Sequence, residues 1–70
     1  MNFTLVKGHY KVEFTFIPGE KNEKEDKYCV TQYQFLPGHL NYVPYSGKLV
    51  TAKEGNRLMM RLEKENYKYA

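Results

Sequence analysis

The chain has no tryptophan, one cysteine, one serine and one aspartate, and no apolar run of membrane-spanning length. Each shortage excludes something. A lone Cys29 rules out an intrachain disulfide framework. A membrane helix needs about 18 consecutive apolar residues, and none occur together here. The N-terminus lacks the basic-then-apolar order of a signal peptide, so a cytoplasmic location is expected. A serine–histidine–aspartate triad would have to use Ser46 and Asp26, the only residues of their kinds. Asp26 lies in a highly charged stretch, a poor setting for a buried orienting acid. Cys29 could pair with His9 or His39, but free cysteine in a strand reads first as a small packed residue. The same three residues lack the paired spacing of a metal site. Glycine-rich phosphate loops are also missing, because Gly8, Gly19, Gly38, Gly47 and Gly55 all fall where strands are expected to break. The expectation is a non-enzymatic protein with no cofactor and no metal.

What remains is a single small domain of 70 residues. Leu, Ile, Val and Phe supply 16 of the 70, just above the level at which disorder becomes the better expectation. Folding must offset roughly 1.5 kcal/mol of ordering entropy per residue, so most of these side chains are needed inside. The seven tyrosines have more freedom, since a ring can pack while its hydroxyl stays wet.

The net charge of +3 is unevenly spread. Residues 18–27 hold three Lys and four acids with no apolar residue beyond Pro18, and read as a mobile, solvated loop. Residues 28–47 carry no Asp, Glu, Lys or Arg at all, but include four Tyr. Residues 48–70 hold six bases against three acids, so the whole basic excess sits beside the neutral aromatic stretch.

Strand signals dominate. Residues 2–7 are followed by Gly8; then Tyr10, Val12, Phe14 and Phe16 alternate with Lys11, Glu13 and Thr15, a period of two that marks a half-buried strand. Pro18-Gly19 ends it. Residues 28–36 form the next strand, with Cys29, Thr31, Tyr33 and Phe35 on one face and Tyr28, Val30, Gln32 and Gln34 on the other, ended by Pro37-Gly38. The 39–47 stretch, with Pro44, reads as an irregular connection. A short strand at 48–52, a hairpin with Gly55 in the left-handed position and a return strand at 57–63 follow, then a frayed tail from Lys64. The expected fold is all-β: a five-stranded antiparallel meander or partly closed barrel of the SH3-like or OB-like kind. The alternative is α+β, an antiparallel sheet with one C-terminal helix at about 57–67, because Arg57–Glu63 contains no β-branched residue and is rich in helix formers.

Two binding functions fit this pattern. Interface cores are poor in charge and rich in Tyr and Arg, which suggests a small inhibitor-like or accessory module, of microbial or phage style, docking on a larger protein. The residues expected to carry it are Tyr28, Gln32, Gln34, Tyr42, Tyr45, Arg57 and Arg61. Adding Lys48 and Lys53 makes the same face a candidate for single-stranded DNA or RNA, with tyrosines stacking bases and cations holding phosphates. Self-association through an edge strand or the neutral face is a third option. Membrane-surface binding is not expected, as no segment resembles a basic amphipathic helix.

Overall fold

A computed structural model describes residues 2–20, 25–36, 38 and 41–70. Four strands, β1 (Asn2–Lys7), β2 (Tyr10–Ile17), β3 (Lys27–Gln34) and β4 (Val43–Thr51), are followed by helix α1 (Ala52–Lys64) and a short strand β5 (Lys68–Tyr69). They form one antiparallel sheet in the order β4-β3-β2-β1-β5. Strands β4 and β5 run in the same direction at opposite edges, and α1 crosses one face of the sheet to join them.

The first three strands follow the expected alternation closely. Phe3, Phe14 and Val30 are cross-strand neighbours in one row, and Leu5, Val12 and Gln32 in the next, all on the face under α1. The core is Leu5, Val12, Phe14, Tyr28, Val30, Met59 and Leu62, with Phe3, Phe16, Val50, Ala52, Leu58 and Tyr67 packed against it. Tyr28 is its aromatic centre, meeting Phe14 edge-on at 6.0 Å, Phe16 at 5.4 Å and Phe3 at 6.4 Å.

The C-terminal third takes the helical alternative, not the expected hairpin and return strand. The reason is a set of helix signals that agree with one another. Thr51-Ala-Lys-Glu54 is a capping sequence: the Thr51 hydroxyl accepts the Glu54 N–H at 3.1 Å and meets its carboxylate at 3.0 Å. Gly55, Met59 and Leu62 then recur at helical spacing and are buried, whereas Met60, which a strand over 57–63 would set on one face with Leu58 and Leu62, is exposed. Gly55 is therefore no turn residue. A Cβ there would lie 3.1 and 3.2 Å from Cγ and Cε2 of Tyr28, and nearer still to Cδ2, so the missing side chain is what lets α1 sit on the Tyr28 ring.

The helix ends in a closing turn. Asn66 takes a φ of 71°, its N–H bonds the Glu63 carbonyl at 3.1 Å, and the Tyr67 N–H bonds the Leu62 carbonyl at 3.0 Å. This turn sends the chain into β5, so the expected frayed tail instead pairs with β1: Leu5 faces Tyr69, Val6 faces Lys68, and the Ala70 N–H reaches the Thr4 carbonyl at 2.9 Å.

Two further expectations need adjustment. The stretch around Pro44 is not irregular but the first part of the nine-residue β4. The charged loop expected at 18–27 is described only at its ends: residues 21–24 lie outside the described residues, Lys27 begins β3, and Asp26 Oδ1 accepts the Gly19 N–H at 2.8 Å.

Candidate binding surface on the edge strand and helix

The expected binding residues separate into four places. Tyr28 is 7% exposed beneath α1, so it is core and touches no outside partner. Its row on β3, from which Tyr28, Gln32 and Gln34 were expected to meet a partner, faces the helix. Gln32 and Gln34 continue that row beyond the core, and exposed Tyr45 lies toward the same end, close enough to Tyr67 to help raise its phenol above the usual value, burial being the larger cause. Tyr42 lies with Lys11 on the opposite, uncovered face. There the Lys11 ammonium sits 4.5 Å from the Tyr33 ring centre and 4.6 Å from that of Tyr42. The Tyr33 hydroxyl donates to Glu13 Oε1 at 3.4 Å, and burial first, then the Glu13 carboxylate, push the phenol above its ordinary value.

The cations, in contrast, come together. Lys53, Arg57 and Arg61 are spaced four apart and form one stripe along α1. Lys48 and Val50 project from β4 on the same side of the sheet. Lys48, Val50, Glu54, Arg57, Leu58 and Arg61 line an open groove of about 280 Å³ between the edge strand and the helix. Three cations face one carboxylate there, and Glu54 is already engaged by the Thr51 hydroxyl. Among the described residues the one ion pair is Arg61 Nε to Glu65 Oε2 at 3.9 Å, between side chains 70% and 53% exposed, and such a surface pair holds a guanidinium only weakly.

The backbone beside the groove is also available. Ala52 donates to the Asp26 carbonyl at 2.9 Å, which sets the phase of the β3–β4 ladder. Paired residues alternate between bonded and non-bonded, so Val50, Lys48 and Ser46 direct their N–H and C=O groups at β3. Leu49 and Gly47 direct theirs outward, away from the sheet. Past a register shift between Gln32 and Tyr33, Pro44 falls opposite Tyr33 at a position where an N–H would also point outward. Proline is tolerated at such an edge position, which explains why β4 survives a residue that reads as a strand breaker.

This composite of open edge and cationic groove is what the sequence left hidden. Lys48, Arg57 and Arg61 stand out by residue type, but only the helix brings the two arginines alongside the strand. The legible clue was the Thr51–Glu54 capping pair.

A second concavity, of about 280 Å³, lies at the far end of the sheet between His9, Tyr10, Gln34, Phe35 and Leu36. The His9 ring stacks on Phe35 at 6.2 Å, and Phe35 meets Tyr42 edge-on at 5.6 Å. Cys29 pairs with Thr15 in mid-sheet, whereas the His9 carbonyl bonds Phe35 near the sheet end, so this cysteine and histidine are not brought together. His39 lies outside the described residues. Among the described residues no cluster of three metal-ligating side chains occurs, and no helix is long and apolar enough to cross a membrane.

No family model, curated protein or solved structure matches the chain.

Proposed function

We propose that the chain is a non-enzymatic binding module that docks on a larger protein through the β4–α1 side, with Lys48, Arg57 and Arg61 as its central cations and Lys53 at the rim. The observation that carries this reading is the groove itself. Three cations converge on a concave surface lined by a single carboxylate, so the lining carries a net positive charge. Electrostatic complementarity of this kind steers association and selects partners by sign. The apolar floor, Val50 and Leu58, adds area that a purely ionic patch lacks.

The tyrosines weigh against a nucleic-acid role on the same face. Single-strand binders stack bases on aromatic rings set within the cationic track. Here Tyr28 is core, Tyr42 lies on the other face and Tyr45 lies at the register shift of β4, away from the groove-lining Lys48 and Val50.

The test is affinity purification with the whole chain and with a Lys48→Glu/Arg57→Glu/Arg61→Glu variant, before and after nuclease treatment. The reading expects protein that the wild type retains after nuclease and the variant loses, with Tyr42→Ala unchanged. Retention that disappears with nuclease, or a gel shift of single-stranded DNA that weakens with salt, overturns it in favour of nucleic acid.

A further inference from the structure

The docking face has an unusual neighbour, a run of sheet edge left open. Natural sheets blunt their edges with proline, bulges and charge, because unpaired N–H and C=O groups invite another strand. Strand β4 does this over its first half, with Pro44 and the register shift beside it. Its second half has neither proline nor register shift, and its one charge, Lys48, lines the groove. Gly47 and Leu49 present outward backbone groups, a Cβ at Gly47 would meet nothing within 4 Å, and Leu49 is 57% exposed. The cationic groove begins directly at this stretch, since Lys48 and Val50 belong to both.

We infer that the partner binds as an extended acidic segment that adds to β4 as a sixth strand, its backbone bonding Gly47 and Leu49 and its carboxylates entering the groove of Lys48, Arg57 and Arg61. The inference rests on the docking face proposed above and names the chemistry of its occupant. Alternate side chains of an added strand fall on the groove side, so every second residue is the one that meets the cations. The others lie beside Leu49 on the uncovered face. Charge also decides against a second copy of this chain. Two β4 edges paired about a two-fold axis would bring both sets of cations to one junction, and like charges brought together oppose association.

The test uses synthetic peptides of alternating glutamate and threonine, and of alternating lysine and threonine, titrated into the isotope-labelled chain. The glutamate peptide is expected to bind, to slow amide exchange at Gly47 and Leu49 and to shift Lys48, Arg57 and Arg61; the lysine peptide is not. Lys48→Glu/Arg57→Glu/Arg61→Glu should weaken binding by about tenfold or more, equal to about 1.4 kcal/mol per factor of ten. Amide N-methylation of the peptide tests the strand without altering the protein. Methylating only the threonines should abolish an antiparallel addition, and methylating only the glutamates a parallel one, because alternate amides face opposite edges. If neither methylation weakens binding, or both do so equally, strand addition is overturned while the cationic groove stands. If the charge reversals leave binding unchanged, the groove itself is overturned. Failure of the glutamate peptide to bind, or protection through dimerisation of the free chain, also overturns the inference.

Discussion

The two faces of the sheet are built from the same strands and behave as opposites. Along β2, Val12, Phe14 and Phe16 lie under α1, while Lys11, Glu13 and Thr15 alternate with them toward the uncovered side. The covered face holds the whole core, and Phe14, Leu5 and Val30 are completely enclosed. On the uncovered face the strands set threonines, Cys29, Val6 and the Lys11–Tyr33–Glu13 cluster, all half-buried only by one another. The contrast teaches where this chain keeps its stability. One helix covers one face, and the energetics of apolar burial are concentrated in a layer that seven side chains complete.

That contrast can be broken most forcefully at Phe14. Phe14→Ala should cost about 3–5 kcal/mol, the range for a large aromatic lost from a packed core. Small domains have little stability beyond that, so thermal melting should find the variant largely unfolded at physiological temperature. Gly55→Ala comes next. In an exposed helix the change would gain about 1 kcal/mol. Here the added methyl meets the Tyr28 ring, and overpacking of about 1–3 kcal/mol should reverse the sign. A variant that melts higher than wild type would show that α1 does not rest on Tyr28. On the uncovered face, Leu49→Thr should change stability by no more than about 0.5 kcal/mol, as for surface substitutions.

Alkaline pH gives the smallest and most selective comparison. The Tyr33 phenol has a raised pKa relative to its ordinary 10.0, chiefly through burial and then through Glu13. In this pH range the folded state therefore holds a proton that the unfolded state releases. The associated stability is fully present below pH 10.0 and is lost as pH rises through the higher folded value. Tyr33→Phe should flatten this part of the decline in chemical denaturation at alkaline pH. Tyr67 and Tyr69, both also raised with burial as the first cause, should account for what remains.

Much of the covered face was legible in the sequence. Gly8 and Pro18-Gly19 bounded β1 and β2 where the structure ends them, and period-two alternation along β2 separated Phe14 from Glu13. The strand β3 was legible as a strand but not in its orientation. Its two rows, one with Cys29, Thr31 and Tyr33 and the other with Tyr28, Val30 and Gln32, are both neutral and differ little in apolar character, so neither row declared itself inward. The helix was concealed by Gly55-Asn56, which carries turn chemistry locally, whereas Gly55 here makes room for the Tyr28 ring. Asn66 illustrates the remaining difficulty: its left-handed φ of 71° is a helix-ending feature that has meaning only once α1 is known to exist. The binding groove inherits that dependence. Its cations were visible as residue types, while their convergence required the helix.

The pairing of β5 with β1 has a consequence for the order in which the molecule can assemble. The β1 edge is filled by residues that follow α1, and Ala70 closes onto Thr4 across almost the full sequence. Contacts so distant in sequence bear the largest loop-closure entropy and form late. Strand β1 must wait with an unpaired edge while β2, β3, β4 and α1 are still emerging from a ribosome. The same proximity of the two ends makes this the natural seam for a circular permutation: a short linker from Ala70 back to Asn2 would spare the sheet, and new ends could be cut between β1 and β2 at exposed Gly8. In such a permutant β1 would follow β5 directly, so their pairing would become a local hairpin and the β1–β2 ladder would become the sequence-distant one.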